Sequence, residues 1–227
     1  MRYARPASVG VRFAWLVAEG QLALKEATSG TRPAKLLPMI TTHQSNLRQY
    51  VNDMIALETD IAKAIRGQLE DERVIIRGKL ASILGEIVGA SEIRAERLKK
   101  ISAEEGGSLG AAIKEGVTAT TGVLAGLYGR LREHPVSRMV RDDIVAQTTA
   151  STAYGMLLTL ALSAGHTECA VIAEEGLNST SPSVTKLTYE LPSIVEAELA
   201  EDEPPVCAGA AKIALKAIQA AWSQGAD

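Results

Sequence analysis

The hydrophobic positions of this chain recur every three or four residues, and no stretch alternates with a period of two over six residues. This spacing predicts amphipathic helices and favours an all-α fold. One repeat begins after Thr42 and continues to about Asp71. Its alternating steps of four and three are typical of a helix in an antiparallel bundle. The stripe consists of Leu47, Val51, Met54, Glu58, Ile61, Ile65 and Gln68.

A second long repeat, from Met139 to Gly165, predicts a helix of about seven turns around which the other helices are arranged. Its inward stripe is interrupted midway, where polar and small side chains replace aliphatic ones. The stripe runs through Val140, Ile144, Gln147, Thr148, Ser151, Tyr154, Leu158 and Leu162. Gly165 is expected to end this helix, since glycine favours the position just after a helix.

The rest of the chain divides into helices at glycine and proline connectors. Residues 71–105 predict a helix with Ile76, Leu80, Ile83 and Ile87 on one side and Leu84, Val88, Ala95 and Leu98 beside them. Its glycines, Gly78, Gly85 and Gly89, are expected to let a neighbouring helix approach closely. Helices are also predicted at 9–27, 108–133, 166–177, 184–199 and 206–222, with connectors at 28–41, 178–183 and 201–205. The predicted elements group into three parts: an N-terminal helix and connector over 1–41, a bundle over 42–203 and a C-terminal helix over 204–227.

Composition narrows the functional class. The formal net charge of −3 argues against nucleic-acid binding, which requires clustered lysine and arginine. Four basic residues near the end of the 71–105 helix are interleaved with acids and predict a solvated face: Arg94, Arg97, Lys99 and Lys100. The sequence contains no run of about 18 apolar residues, so no membrane span is predicted. The two cysteines are expected to be buried free thiols in a reducing, cytoplasmic setting.

Glu58 stands out because it is a carboxylate inside an apolar seam. A buried carboxylate costs several kcal/mol unless it is paired, protonated or bound to metal. Two interpretations remain open: the side chain reaches the seam edge or pairs with an arginine, or it is a metal ligand. The three histidines lie at predicted helix ends or in loops, and no ExxH motif occurs, so histidine ligation of a di-metal site is not indicated.

Several runs resemble the YciF/DUF892 family of bacterial, stress-linked ferritin-like proteins over about residues 45–200. Arg141-Asp142-Asp143-Ile144 followed by Ala153-Tyr154-Gly155-Met156-Leu157 resembles that family's fourth helix, and Leu57-Glu58-Thr59 and Glu96-Arg97-Leu98 resemble its first and second. The resemblance implies a ferritin-like antiparallel four-helix bundle with additional N- and C-terminal helices.

The departures from the family pattern concern the metal ligands that the resemblance implies. Aligned on Tyr154-Gly155, the ligand positions of the fourth helix fall on Gln147, Thr148 and Ala150, and those of the fifth on Asn178, Ser179 and Thr180. Glu58 remains, with Glu92 near a second position and Glu175 one turn from a third. Because a di-metal site uses about six ligands, the resemblance implies the fold and argues against the activity.

Three functions follow as hypotheses. The first is a metal-free, cofactor-free and non-catalytic bundle with a structural or interaction role, stress-related by resemblance. The second is a di-iron or di-manganese oxidase that uses Glu58, Glu92 and Glu175. The third is a small-molecule binding bundle whose cavity is lined by Gln147, Thr148, Ser151 and Thr152, unless these hydroxyls bond to carbonyls one turn back. The terminal helices are expected to cap the bundle or to build a homo-oligomer.

Overall fold

The computed structural model describes residues 42–104 and 135–223, and this part of the chain is helical apart from short connections. Its helices are α1 (Thr42–Leu69), α2 (Glu72–Ile75), α3 (Gly78–Glu104), α4 (Val136–Ser163), α5 (Thr167–Asp202) and α6 (Ala210–Ser223). All of them belong to one compact unit, Thr41–Asp227. No strand occurs among the described residues, so the all-α prediction is confirmed for them. The predicted elements at 9–27, 28–41 and 108–133 lie outside the described residues.

Helix α1 is the element that the sequence predicted most accurately. All seven members of its predicted stripe are buried. A short connection follows, in which the Asp71 carboxylate caps α2 by accepting a hydrogen bond from the Arg73 amide at 2.9 Å. Val74 is fully buried and anchors α2 to the bundle. Ile76, however, is 78% exposed and does not join the core as predicted, because it lies in the turn between α2 and α3.

Helix α3 buries one face whose spacing also alternates between four and three. This face consists of Leu80, Leu84, Ile87, Ser91, Arg94, Leu98 and Ile101. The prediction that Arg94 is solvated is therefore wrong, since its residue is only 4% exposed. The prediction for the glycines is also wrong: a Cβ added at Gly78, Gly85 or Gly89 would meet no atom within 4 Å.

Helix α4 begins after Pro135 and ends at Ser163, close to the predicted range. Gly165 has a φ of +69°, a left-handed conformation that suits glycine and confirms its role in ending the helix. The inward face differs from the predicted one: Leu162 is 56% exposed and Thr148 is exposed as well. The core positions of this helix instead include Ala146, Ala150, Leu157 and Ala161. Small alanines let the neighbouring helices pack close to α4 and so decide which side turns inward.

Helix α5 is one continuous helix of 36 residues, so the turn predicted at 178–183 is wrong. Serine and threonine side chains can compete with helical hydrogen bonds, which makes such a stretch typical of a turn. Instead, Thr180 and Ser183 donate to the carbonyls of Gly176 and Ser179 within the helix, each at 2.9 Å. Pro182 lies inside α5 and lacks an amide donor. Packing along two neighbouring helices offsets the cost of that proline.

The four long helices form a ring in which α1 and α5 each pack on α3 and α4. Ser102 of α3 bonds to Asn52 of α1, and Gln68 of α1 bonds to Asp143 of α4. Further links join Arg97 of α3 to Glu175 of α5 and Ser137 of α4 to Glu198 of α5. In every pair a late residue meets an early one, so neighbouring helices are antiparallel and helices across the ring are parallel.

The antiparallel contacts also place the end of α3 relative to the start of α4. Glu104 ends α3 beside the start of α1, whereas Pro135 precedes α4 beside the end of α1. For helices of 27 and 28 residues these two points are roughly 40 Å apart. The two residues that flank 105–134 therefore lie at opposite ends of the bundle.

Helix α6 lies on the last turns of α5 and buries none of its residues. Its contacts include Tyr189 with Trp222, whose ring centroids are 6.0 Å apart, and the Ala211 amide with the Glu196 carboxylate at 3.3 Å. The helix begins four residues later than predicted. Within the described ranges, no helix combines the length and the apolar character needed to cross a membrane.

Candidate functional site

Three polar side chains meet at the middle of the core, each from a different long helix. Glu58 of α1, Arg94 of α3 and Tyr154 of α4 are 0%, 4% and 0% exposed. Arg94 Nε donates to Glu58 Oε1 at 2.7 Å, and Arg94 Nη2 donates to Oε2 at 3.1 Å. The Tyr154 hydroxyl donates to Glu58 Oε1 at 2.5 Å. Both carboxylate oxygens are thus engaged, in the two-pronged geometry that suits arginine and carboxylate.

Neighbouring side chains complete the surroundings of the Arg94 guanidinium. Nη1 donates to Ser179 Oγ of α5 at 3.0 Å, and Nη2 donates to Ser91 Oγ at 3.4 Å. The guanidinium carbon lies 5.5 Å from the centroid of the Tyr154 ring, within the range of a cation–π contact. We call Glu58, Ser91, Arg94, Tyr154 and Ser179 the central polar cluster. It links all four long helices through side-chain bonds.

Burial and neighbouring charges together set the pKa values of Arg94 and Tyr154. Burial is the largest single influence on Arg94 and disfavours the charged guanidinium, but the charge and hydrogen bonds of Glu58, together with Tyr154, outweigh it and the pKa of Arg94 is raised. Burial, followed by the charge of Glu58, raises the pKa of Tyr154 well above its usual value of about 10. Arg94 is therefore a permanent cation and Tyr154 a neutral donor. The cluster holds one positive and one negative charge, which compensate each other away from water.

A second group of buried polar side chains lies about three turns along α4. Gln68 Nε2 donates to Asp143 Oδ1 at 2.9 Å, and Gln147 follows Asp143 by one turn on the same face. Gln68, Asp143 and Gln147 are at most 1% exposed. Gln68 Oε1 and Gln147 Nε2 have no hydrogen-bond partner, which costs about 1–3 kcal/mol for each such atom. The α1–α4 interface is thus polar at both its centre and one end.

The three glutamates predicted as alternative metal ligands are found in three separate ion pairs. Glu58 pairs with Arg94, Glu92 pairs with Arg66, and Glu175 pairs with Arg97. The side chains of Glu92 and Glu175 are 43% and 52% exposed, whereas that of Glu58 is fully buried. The structure therefore does not bring these carboxylates together, and it gives each of them a guanidinium as counter-ion.

A di-metal centre of the kind that the resemblance implies does not fit these side chains. Its carboxylate ligands must converge on a shared point, and their oxygens must be open to the ions. Within 42–104 and 135–223, no three histidine, cysteine, aspartate or glutamate side chains are grouped so that they could hold a metal ion. At Glu58, the guanidinium of Arg94 occupies the side of the carboxylate that an ion would need.

The four residues predicted to line a ligand cavity have different surroundings. Gln147 is buried, while Thr148 and Thr152 are exposed. Thr148 donates to the Ile144 carbonyl at 2.8 Å, and Thr152 donates to the Thr148 carbonyl at 3.0 Å. Ser151 Oγ instead lies 2.7 Å from Ser181 Oγ of α5. For both threonines, the alternative that the hydroxyls bond one turn back is confirmed.

Arg94 and Tyr154 are the site residues whose role the sequence interpretation missed. The hydrophobic pattern predicts Tyr154 on the inward face of its helix but does not indicate a partner for its hydroxyl. Arg94 was grouped with nearby surface charges. The signal that identifies Arg94 is its register: steps of four and three from Leu80 through Leu98 pass through it. Arg94 lies near the middle of the buried face of α3, and Glu58 lies near the middle of the buried face of α1. A buried cation at that level can pair with a buried carboxylate on the neighbouring helix.

The predicted free thiols are confirmed for Cys169 and Cys207, but Cys207 is exposed and not buried. It lies in the connection between α5 and α6, where no helix covers it.

Comparison with protein-family models, with curated proteins and with solved structures finds no match for this chain. The resemblance to the YciF/DUF892 family stays a prediction from sequence.

Proposed function

We propose that this protein is a metal-free, non-catalytic bundle of the ferritin-like type with a structural or interaction role. The observation that carries the proposal is the bidentate pairing of Arg94 with Glu58 in the centre of the bundle. A ferritin-like oxidase holds two metal ions there. Here the Arg94 guanidinium neutralises Glu58, and the Tyr154 hydroxyl donates a further hydrogen bond to its Oε1.

The topology of the described helices supports the ferritin-like assignment. Two antiparallel hairpins, α1–α3 and α4–α5, pack side by side, and the helices across the ring are parallel. Glu104 and Pro135 lie at opposite ends of the bundle. The ferritin-like arrangement places the end of its second long helix and the start of its third in this way, whereas a simple up-and-down bundle places them at the same end.

The side chains around the cluster also favour a metal-free state. The other core residues near this height include Ser91, Ala150 and Thr180. Alanine offers no donor, and Fe²⁺ and Mn²⁺ prefer carboxylates and imidazoles to neutral hydroxyls. A metal ion would have to displace Arg94, leaving that cation buried without a partner, which is strongly unfavourable.

Metal analysis of the full chain tests the proposal. The protein is expressed with added iron or manganese, dialysed without chelator, and analysed by inductively coupled plasma mass spectrometry. We expect far less than one ion per chain, both in the natural protein and in Glu58→Ala. The proposal is rejected if at least one iron or manganese ion per chain is retained and is lost in Glu58→Ala, since the alternative oxidase would then hold.

The remaining features of the proposal come from the sequence. We place the protein in the cytoplasm as a homo-oligomer, with no bound cofactor and no nucleic-acid partner. The link to stress physiology rests on the family resemblance alone. An abundance measurement before and after oxidative or osmotic challenge checks it, and an unchanged level in both would remove that part of the proposal.

A further inference from the structure

The outward side of α4 differs from the other outer surfaces because it carries no charge over six turns. Residues 144–165 contain no acidic, basic or histidine side chain. The exposed positions of α1 and α3, by contrast, include several charged residues: Lys63, Arg66, Glu86, Glu96 and Lys100. We define the α4 stripe as the exposed residues Val145, Thr148, Thr152, Met156, Thr159 and Ser163.

Hydrogen bonding makes the α4 stripe less polar than its composition suggests. Thr159 donates to the Gly155 carbonyl at 3.0 Å, and Ser163 donates to the Thr159 carbonyl at 2.7 Å. The hydroxyls of Thr148 and Thr152 likewise donate to carbonyls one turn earlier in the helix. With their donors used, the threonines present mainly methyl groups. Val145 and Met156 are 40% and 46% exposed among them. Covering this surface would remove apolar area from water and leave few donors unsatisfied.

The two ends of the stripe carry opposite charges. Arg141 precedes it by one turn; its guanidinium pairs with the buried Asp142 carboxylate at 2.6 Å, and its side chain is still 58% exposed, so it can meet a second carboxylate. Glu168, in the first turn of α5, follows it and is exposed. In an antiparallel pair of identical stripes, Arg141 of each copy comes near Glu168 of the other. In a parallel pair, like charges would meet, which is unfavourable.

We infer that the α4 stripe is the surface through which two copies of this chain associate, antiparallel and about a two-fold axis near Thr152 and Met156. A two-fold interface brings each patch against itself, so an uncharged centre with opposite charges at its ends is self-complementary. The stripe follows steps of three and four residues along one helix face, and its small threonine and serine side chains let the two helices approach closely. This inference rests on the proposed structural role, because it identifies the protein's partner as a second copy.

Sedimentation velocity of the full chain over a concentration series tests the inference. Met156→Glu places two carboxylates near each other at the axis, and we expect it to raise the dissociation constant of the dimer at least about tenfold. Ile93→Glu is the matched control, because Ile93 is 62% exposed on α3 and outside the stripe. A natural protein that stays monomeric, or equal effects of the two substitutions, overturns the inference.

A charge swap distinguishes self-association from binding of another protein. Arg141→Glu and Glu168→Arg should each weaken the dimer several-fold, and the double variant should restore it, because each copy supplies both partners. Failure of the double variant to recover rejects the antiparallel arrangement. Circular-dichroism melts confirm that each variant is folded before its association is compared.

Metal content measured on the same samples separates this inference from the proposed function. A metal-free monomer removes the dimer, and with it the proposed homo-oligomer, but leaves the proposed metal-free, non-catalytic bundle intact. A dimer that retains stoichiometric metal removes the proposed function and leaves the interface.

Discussion

At the scale of single residues, the central ion pair decides whether the core is stable. A buried carboxylate and guanidinium each lose hydration, and their attraction restores it only when the geometry is good. Here Arg94 makes two bonds to Glu58 and one each to Ser91, Tyr154 and Ser179. Removing one member of such a pair costs more than the pair itself contributes, since the other charge stays buried.

Arg94→Met should therefore lower the free energy of unfolding by about 3–5 kcal/mol, as measured by urea denaturation. Arg97→Met is the matched control, three residues along the same helix, where the arginine pairs with Glu175 at the surface. A surface pair contributes about 0–1 kcal/mol, so this variant should be nearly as stable as the natural protein. Similar losses in both variants would contradict the assignment of Arg94 to the core.

Replacing Glu58, Arg94 and Tyr154 together should be far less harmful than removing Arg94 alone. The triple variant Glu58→Leu, Arg94→Met, Tyr154→Phe removes both charges and the hydroxyl together. Apolar replacements of buried ion pairs are often neutral or stabilising, so we expect this variant to recover most of the stability lost in Arg94→Met. A triple variant as unstable as the single one would mean that volume, and not charge, decides the packing at this site.

Tyr154 makes the stability sensitive to alkaline pH. Its pKa is raised in the folded state, so above about pH 10 the unfolded chain releases a proton that the folded protein retains. The stability contributed by Tyr154 is therefore complete below pH 10 and falls by about 1.4 kcal/mol per pH unit above it. Tyr154→Phe should be the less stable protein at pH 7, and the difference should shrink between pH 10 and 11 in denaturant titrations. A constant difference across that range would contradict a protonated, buried hydroxyl.

At the scale of elements, α4 and α5 are fitted together by one glycine. A Cβ added at Gly176 would lie 2.5 Å from atoms of the Tyr154 ring, closer than real Cβ contacts allow. Gly176 is fully enclosed in the α4–α5 interface, so the absence of a side chain there leaves room for the aromatic ring. The position of Tyr154 in the central polar cluster therefore depends on a residue of the neighbouring helix.

Gly176→Ala should destabilise the protein by about 1–3 kcal/mol, the usual cost of overpacking a core. Gly85→Ala is the control within α3, because a Cβ there meets nothing within 4 Å. Alanine is the better helix former, so this control should gain about 0.5–1 kcal/mol. Thermal melts of both variants give the comparison. Stabilisation by Gly176→Ala would show that the Tyr154 ring moves aside without cost.

At the scale of the whole molecule, the described part of the chain consists of a ring of four long helices around a shared core, with α6 at its periphery. The four long helices share the core, whereas none of the residues of α6 is buried. Its ring contact between Trp222 and Tyr189 contributes about 0.5–1.5 kcal/mol beyond area burial. The fold of the ring should therefore not depend on α6.

Deleting residues 204–227 should leave the bundle folded, with a loss of stability below about 2 kcal/mol. The deletion also tests the predicted boundary between the bundle and the C-terminal helix. Circular dichroism should show helix content reduced only by the removed residues, with one cooperative melting transition retained. Loss of cooperativity would show that α6 belongs to the core structure. Self-association should survive the deletion, because the α4 stripe lies on a different helix.

The limits of sequence reasoning appear most clearly in α5 and α4. The turn predicted at 178–183 would suit an isolated peptide, in which hydroxyls compete with the helix and proline lacks a donor. Ser179 and Ser181 instead bond to side chains of α3 and α4. Those partners are distant along the chain, and no local pattern reveals them. The inward face of α4 was misjudged for a related reason, since its alanines signal close packing only beside their actual neighbours.

The sequence by itself determined the helical class, the bounds of α1 and α4 to within a few residues, and the register that buries Glu58. These depend on local spacing, which a single chain displays directly. The tertiary structure alone decided the partners: Arg94 beside Glu58, Tyr154 above them, and Gly176 against the tyrosine ring. Such pairings arise when helices far apart in sequence are brought side by side. They determine whether a buried carboxylate binds a metal ion or an arginine, and in this bundle it binds the arginine.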